Sequence, residues 1–325
     1  MPQVSVIMAA YNSARTIKKA IDSVRGQTEQ DFEILVVDDA SADGTYELVA
    51  TLAAEDPRIR LFRLSENKGP GAARNFAIDR ATGDWLTILD ADDWYEPRRL
   101  EALMRAGQEY KADLVGNNLK IFDHAVGEIV ERTMYGRPDR VVPLTAETFF
   151  ARDNPLVRHA MGYMQPMIRR AFVVDRGIRY DESHRAGEDF IFISENLLQG
   201  ARAIIVPGSY YVYVHRISPT TRRRSPDSRS EAGHRLIVRG CDELLAKYGP
   251  TMPEGARRAL QRRHWIFESR VRCGDMLDDL RSGHPFAAVR VLFTRPFILV
   301  LIVNTIAKTI YANILNSRRR MGIGG

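Results

Sequence analysis

Cysteine is scarce in this chain of 325 residues, which contains only Cys241 and Cys273. The two lack the close spacing of a metal site, and no partner histidines lie close by in the sequence. A disulfide scaffold needs more cysteines than this chain has. We therefore expect two reduced thiols in a cytosolic protein, and we exclude a cysteine-based zinc site.

Long apolar runs are also missing. The run Phe297–Val303 is apolar for seven residues, whereas a membrane-spanning helix needs about 20. The wider stretch 286–316 is interrupted by charged residues and leads into Arg318–Arg320, which predicts a helix lying on an anionic membrane surface. Packing against the protein itself, or a homodimer interface, is the alternative for this stretch.

The chain has no nucleic-acid-binding motif, although its net charge is +6. The excess positive charge lies late in the chain, where aromatic residues do not interleave with the arginines, so a membrane surface explains it better than a nucleic acid. The N-terminus enters a strand at once, so no signal peptide is expected. Together these features predict a cytoplasmic protein, peripheral on the inner face of the plasma membrane.

Three carboxylates follow a buried strand in the middle of the first half of the chain. Trp85–Leu89 has the apolar, β-branched pattern of a strand covered on both faces, and Asp90, Asp92 and Asp93 come directly after it. Ligands of open α/β sheets bind at the carboxyl ends of the strands. Crowded carboxylates repel one another unless a cation lies between them, and Mg²⁺ or Mn²⁺ commonly shares oxygen ligands with substrate phosphates. The motif therefore predicts a site for a metal and a diphosphate, with an acidic loop before a helix as the alternative.

Two further strands end in polar residues. Val4–Met8 is followed by Tyr11 and Asn12, and Phe32–Val37 is followed by Asp38 and Asp39. The Asp39 carboxylate is suited to accept the N3–H of uracil or thymine, and Tyr11 to cover the face of the base. Guanine and adenine lack an equivalent N3–H donor, so this pair favours a pyrimidine nucleotide.

The chain divides into three regions by pattern. Residues 1–116 alternate strand and helix, which predicts an α/β fold with a central, mostly parallel sheet. Residues 117–225 are less regular, and we expect them to complete the same domain as its acceptor and catalytic half. We expect residues 226–325 to form a helical C-terminal extension.

Five segments carry a further signal, in this order along the chain: 4–12, 36–45, 67–75, 90–93 and 187–189. Together they resemble family 2 glycosyltransferases of the GT-A fold, and the likeness is greatest to bacterial exopolysaccharide and surface-glycan enzymes. The resemblance covers about the first two-thirds of the chain. It implies an inverting, metal-dependent hexosyltransferase that uses a UDP-sugar and adds one sugar to a lipid-linked oligosaccharide.

The resemblance also assigns roles to residues. Asp189 is the expected catalytic base, and Glu188 is expected to contact acceptor or sugar; compensation of charge at a helix N-terminus is the alternative for this pair. The metal is Mn²⁺ or Mg²⁺, with Asp92 and Asp90 as ligands and His215 as a candidate third ligand. The expected donor-binding residues are Ala9, Tyr11, Asn12, Asp39, Lys68, Gly71, Arg74, Asp90, Ala91 and Asp92.

Some of these donor assignments have structural alternatives. Arg74 is placed to reach the base or a phosphate oxygen, and Lys68 is a second cation nearby or a solvated loop residue. Gly71 permits close approach of the backbone to a ligand, or it merely helps to start a helix.

Two other functions compete with sugar transfer. A nucleotidyltransferase shares α/β architecture and acidic metal ligands, but the Glu188-Asp189 motif argues against it. A non-catalytic nucleotide- or glycan-binding subunit is the third interpretation, and the retained Asp39, Asp92 and Asp189 argue against it.

Overall fold

A mixed sheet forms the centre of the protein. The computed structural model describes residues 2–124, 126–133, 135, 137, 139–154, 160–215 and 231–282. The main path of the sheet has the strand order β3-β2-β1-β4-β9-β6-β10-β5, with β7 beside β6 and β8 beside β10. The strands are β1 Val4–Ala10, β2 Phe32–Asp38, β3 Ile59–Arg63, β4 Trp85–Ile88, β5 Trp94–Tyr95, β6 Leu114–Asp123, β7 Glu128–Arg132, β8 Val142–Leu144, β9 Met167–Arg169 and β10 Ala203–His215.

The first half of the sheet is parallel, as its sequence predicts. Strands β3, β2, β1 and β4 run in one direction, and every residue of β2 and β4 is buried. Full burial explains why these strands read as continuous apolar runs instead of alternating patterns. Because the strands are parallel, the carboxyl ends of β1, β2 and β4 meet at one edge of the sheet.

Strand β9 enters the sheet in the opposite direction, between β4 and β6. Thr87 of β4 pairs with Met167, the first residue of β9. An antiparallel neighbour starts where its partner ends, so the residues just before β9 lie beside the carboxyl end of β4. This arrangement brings residues from the irregular middle of the chain to the strand-end carboxylates.

Nine α-helices lie in the described part of the chain, together with a 3₁₀ helix at Met161–Tyr163. The α-helices are α1 Ile17–Arg25, α2 Thr45–Glu55, α3 Pro70–Ile78, α4 Arg99–Glu109, α5 Ala146–Arg152, α6 Arg170–Asp175, α7 Glu188–Leu198, α8 Glu231–Tyr248 and α9 Glu254–Arg281. Helix α7 begins with the two carboxylates Glu188 and Asp189. Its N-cap is Gly187, whose φ of +79° is a left-handed conformation that favours glycine.

The C-terminal helices share the core of the sheet domain. In α9, Arg263 donates to Asp153 at 2.7 Å, with both side chains almost completely buried. The Arg263 guanidinium also lies 3.4 Å from the centre of the Phe190 ring, in the first turn of α7. Removing one partner of a buried ion pair costs about 3–5 kcal/mol, so the pair with Asp153 couples α9 firmly to the end of α5. The contact with Phe190 extends this packing to α7.

The described helices include none that is both long and apolar enough to cross a bilayer. The predicted membrane-surface segment at 286–316 and the basic residues after it lie outside the described residues. The predicted domain boundary between residues 225 and 226 also falls outside them, so this division stays a prediction.

Candidate active site

The carboxylates after β4 occupy different environments. Asp93 is 2% exposed, whereas the Asp90 side chain is 30% exposed and Asp92 is intermediate. Burial raises the pKa of Asp93 well above its usual range, and the negative charges of Asp92 and Asp90 raise it further. The end of β4 is therefore a place of concentrated negative charge.

Asp93 anchors strand β10 to this edge. Its carboxylate accepts the Tyr211 hydroxyl and the Val214 N–H, each at 2.7 Å. The Tyr211 hydroxyl also accepts the Asp90 N–H at 3.3 Å. Asp93 thus has a structural role, because it holds β10 to the end of β4.

Arg74 gathers three carboxylates from two distant parts of the sequence. Its guanidinium is 2.8 Å from Asp90 Oδ1, 2.9 Å from Asp189 Oδ1 and 3.2 Å from Glu188 Oε1. Burial would lower the pKa of this arginine, but the neighbouring carboxylates outweigh burial and raise it well above its usual value. Arg74 is therefore always charged and binds the strand-end carboxylates to the N-terminus of α7.

Gln165, just before β9, holds the other side of the same carboxylates. Its side-chain amide is 3.2 Å from Asp189 Oδ2 and 3.4 Å from Asp90 Oδ2. Arg74 and Gln165 together close a ring with Asp90 and Asp189. The backbone carbonyl of Gln165 is itself held by the buried Arg99, so the glutamine is fixed in place.

The environment of Asp189 suits a base that works near neutral pH. Burial raises its pKa to about 7, against the opposing effect of Arg74 and with help from the charges of Glu188 and Asp90. A small cavity of about 10 Å³, lined mainly by apolar residues, lies behind it. The side chain is nevertheless 20% exposed, so a substrate can reach it. A general base works best when its pKa is close to the working pH.

The donor half contains Asp39 at the end of β2. This residue is 3% exposed, and its carboxylate accepts the N–H groups of Lys68 and Gly69, both at 2.8 Å. Each oxygen retains a second lone pair. Asp39 therefore orders the start of α3, a role that the sequence did not reveal, and the predicted contact with uracil stays a prediction.

Tyr11 and Asn12 follow β1, as predicted. Tyr11 is 52% exposed, which suits a ring that covers a ligand. Asn12 instead binds the β2–α2 loop, because its side-chain oxygen accepts the Ala42 N–H at 3.0 Å and its backbone N–H donates to Ser41. The direct contact of Asn12 with the donor is an untested part of the prediction.

Gly71 packs against another part of the protein, whereas close approach to a ligand was one of its two predicted roles. A Cβ at this position would lie 3.4 Å from the Asp181 carbonyl and 3.5 Å from Tyr180. These are ordinary van der Waals distances, so packing against the 180–182 loop does not by itself require a glycine, and both predicted roles of Gly71 stay predictions. Lys68 has a side chain that is 51% exposed and lies 3.7 Å from Glu66, consistent with either predicted role.

The remaining predicted residues have simple positions. Ala9 lies near the end of β1 and is half-buried, and Ala91 is buried between Asp90 and Asp92. His215 is the last residue of β10, and its side chain lies outside the described residues. A third metal ligand therefore stays a prediction.

A histidine outside the predicted site also lies between two carboxylates. His184 is completely buried, with Nδ1 3.2 Å from Asp181 and Nε2 3.5 Å from Glu243 of α8. The two ring nitrogens thus face carboxylates from two different parts of the chain, the loop before α7 and helix α8.

Comparison with known proteins decides the family. The family model "Glycosyl transferase family 2" matches residues 5–174. The succinoglycan biosynthesis protein ExoO of Rhizobium meliloti is 39% identical over 265 residues, which is 80% of this chain and 75% of ExoO. This chain belongs to glycosyltransferase family 2.

Two further similarities agree with this family. A Campylobacter jejuni protein named GalNAc(5)-diNAcBac-PP-undecaprenol beta-1,3-glucosyltransferase is 39% identical over 121 residues, 37% of this chain and 39% of that one. The structure of S. aureus TarS 1-349 in complex with UDP-GlcNAc has a TM-score of 0.61 at 20% identity, over 91% of this chain and 92% of that one. The second likeness confirms the predicted GT-A fold.

The family 2 glycosyltransferase described here is thus of the bacterial exopolysaccharide and surface-glycan type. Its sequence identified Asp90, Arg74, Glu188 and Asp189 as separate candidates, and the structure brings these four residues together. Sequence reasoning missed Gln165, because a glutamine before a short strand carries no distinguishing signal.

Proposed function

We propose that this glycosyltransferase moves one hexose from a UDP-sugar to a hydroxyl of a lipid-linked oligosaccharide, with inversion at the anomeric carbon. Asp189 is the base. It takes the proton of the acceptor hydroxyl as that oxygen bonds to the anomeric carbon. The bond from this carbon to the diphosphate breaks with its electrons, and UDP leaves. An α-linked donor then gives a β-glycoside.

The observation that carries this proposal is the position and pKa of Asp189. The carboxylate lies 2.9 Å from Arg74, and Arg74 in turn lies 2.8 Å from Asp90 at the donor edge of the sheet. A base with a pKa of about 7 is thereby fixed beside the strand ends where nucleotides bind in α/β sheets. A direct displacement requires a base that removes the proton of the acceptor hydroxyl next to the anomeric carbon of the bound donor.

The donor proposal depends on the edge formed by β1 and β2. The buried Asp39 carboxylate supplies an acceptor for an imide N–H, and the exposed Tyr11 supplies a ring for the base. The solved structure of TarS with UDP-GlcNAc, which has the same fold, supports a uridine donor.

The strand-end carboxylates fit a divalent cation. Burial raises the pKa of the neighbouring Asp93, and the charges of Asp92 and Asp90 raise it further; this second effect is the repulsion that a cation relieves. Asp92 and Asp90 would hold Mg²⁺ or Mn²⁺. When bound, such an ion neutralises charge on the leaving diphosphate.

The acceptor and membrane proposals come from the relatives and from the C-terminal sequence. One relative is named for an acceptor linked through diphosphate to undecaprenol. An enzyme that uses such an acceptor must work at a membrane surface. The apolar face within 286–316 and the arginines at 318–320 would hold this protein there. In this proposal residues 1–225 are the active-site domain, and residues 226–325 are the region that associates with the membrane.

A nucleotide-sugar screen tests the function. Purified protein is incubated with UDP-, GDP- and dTDP-sugars, with and without Mn²⁺, and released nucleotide and thermal stabilisation are measured. A ligand at 100 times its Kd adds about 2.7 kcal/mol to stability. We expect stabilisation and slow UDP release with a UDP-sugar. Stabilisation by GDP- or dTDP-sugars alone would overturn the proposed donor, and pyrophosphate release from a nucleoside triphosphate and a sugar phosphate would identify a nucleotidyltransferase.

A further inference from the structure

Tyr163 and Tyr213 form an aromatic pair that none of the roles above uses. Their ring centroids are 5.4 Å apart and the rings are tilted by 56°. Tyr163, in the 3₁₀ helix, is 37% exposed, and Tyr213 on β10 is half-buried. Exposed aromatic rings are places where a ligand with an apolar face can stack.

Each tyrosine is two residues from a side chain that touches a carboxylate after β4. Gln165 follows Tyr163 and contacts Asp189 and Asp90, while Tyr211 precedes Tyr213 and contacts Asp93. Alternate residues of a strand face the same side, so Tyr213 faces the same side of the sheet as Tyr211. Two residues of extended chain span at most about 7 Å, and the pair therefore lies at the rim of the active site.

Sheet topology places the pair opposite the nucleotide pocket. Tyr11 and Asp39 lie at the ends of β1 and β2, on one side of β4, whereas β9, β6 and β10 lie on the other side. Tyr163 precedes β9 and Tyr213 lies on β10. In an inverting reaction donor and acceptor approach opposite faces of the anomeric carbon, so the aromatic pair lies on the acceptor side.

A buried tyrosine holds the 3₁₀ helix that carries Tyr163. Tyr135 is 3% exposed, and its hydroxyl donates to the Ala160 carbonyl at 3.1 Å. Ala160 is the N-cap of the 3₁₀ helix that carries Tyr163. The helix is therefore fixed before any ligand arrives, which lowers the entropic cost of binding.

We propose that Tyr163 and Tyr213 form an acceptor subsite that stacks on a pyranose ring. One face of a pyranose presents C–H groups while its hydroxyls lie at the edge, so it matches an aromatic surface beside polar groups. The acceptor hydroxyl would then belong to a saccharide unit, and not to a polyol phosphate or a lipid headgroup. The assignment of this subsite to the acceptor rests on the proposed function.

Saturation-transfer NMR on the full chain tests the subsite. The probes are methyl β-D-glucopyranoside and methyl β-D-galactopyranoside, with glycerol as a polyol that lacks a ring. We expect saturation of the ring C–H protons of at least one pyranoside and little or none of glycerol. Tyr163→Ala and Tyr213→Ala should each weaken this binding about three- to tenfold, the size of one lost aromatic contact.

Three variants serve as controls. Tyr163→Phe and Tyr213→Phe keep the ring and should bind like the wild type. Tyr110→Ala removes another exposed tyrosine, 42% exposed, which lies at the C-cap of α4, and should change nothing. UDP affinity, measured on the same samples, reports whether each variant is folded.

The outcomes separate this proposal from the proposed function. Equal pyranoside signals in the wild type and the Tyr163→Ala/Tyr213→Ala double variant would overturn the subsite, and so would no pyranoside signal in the wild type. Binding of UDP alongside either result leaves the proposed function standing. Ring-dependent pyranoside binding without any UDP binding would support the aromatic subsite and overturn the proposed UDP-sugar donor.

Discussion

Replacing Gln165 with methionine should shift the pH dependence of turnover. The two side chains have similar size, but methionine cannot donate the amide N–H that lies 3.2 Å from Asp189 Oδ2. A hydrogen bond to a charged group contributes about 1.5–3 kcal/mol, and one pKa unit corresponds to about 1.4 kcal/mol. Loss of the bond destabilises the ionised carboxylate, so the pKa of Asp189 should rise by about 1–2 units.

The sign of the effect on rate follows from the role of Asp189. A base must be deprotonated to act, so wild-type kcat/KM should rise with pH through a pKa of about 7. In Gln165→Met the rise should move to about pH 8–9, since a pKa shift translates directly into the ionised fraction. At pH 7 this variant should be about 5- to 50-fold slower than the wild type, and it should recover about half or more of its activity at pH 9.

The assay is UDP release with the donor found in the screen, measured from pH 5.5 to 9.5. Gln27→Met is a matched control, because Gln27 is also buried but bonds to Glu96 and Leu100, away from the carboxylates. It should lower the melting temperature without moving the pH profile. An equal loss of activity at all pH values in Gln165→Met would refute the reasoning, as would an unchanged profile.

Three further variants test separate parts of the account. Asp39→Ala should weaken UDP binding about tenfold or more in calorimetry. The substitution removes the proposed hydrogen-bond acceptor for the uracil base and the two hydrogen bonds from the Lys68 and Gly69 N–H groups. Unchanged affinity would show that Asp39 is not part of the base pocket. Asp92→Asn should abolish Mn²⁺- or Mg²⁺-dependent turnover and keep the wild-type melting temperature, whereas full activity of wild-type protein after thorough chelation would contradict the metal mechanism. The full chain should float with anionic liposomes and a chain ending at Ser282 should float much less while it still binds UDP; equal flotation would place the membrane contact elsewhere.

The sequence was sufficient to predict the donor half of the fold. Strands β1, β2 and β4 are buried on both faces, so their apolar runs stand out, and the residues after them must meet at one edge of a parallel sheet. Asp39 and Asp90 were found for this reason.

The closed ring of active-site residues was not predictable in the same way. Arg74 and Asp189 are 115 positions apart, and no local pattern states that they touch. Gln165 reaches them only because β9 runs antiparallel between β4 and β6, and a strand of three residues has too little pattern to reveal its direction. Nor did the sequence show that Asp93 would serve as an anchor for Tyr211, since three neighbouring aspartates look alike until their burial is known.

The most direct test of the central claim is the turnover of Asp189→Asn. Asparagine has nearly the same shape and still accepts a hydrogen bond from Arg74, but it cannot take a proton at neutral pH. We expect UDP-sugar affinity close to that of the wild type and a fall in kcat of about 10²–10⁴-fold, the usual contribution of a general base. If Asp189→Asn transferred sugar at the wild-type rate, Asp189 would not be the base and the proposed mechanism would be wrong.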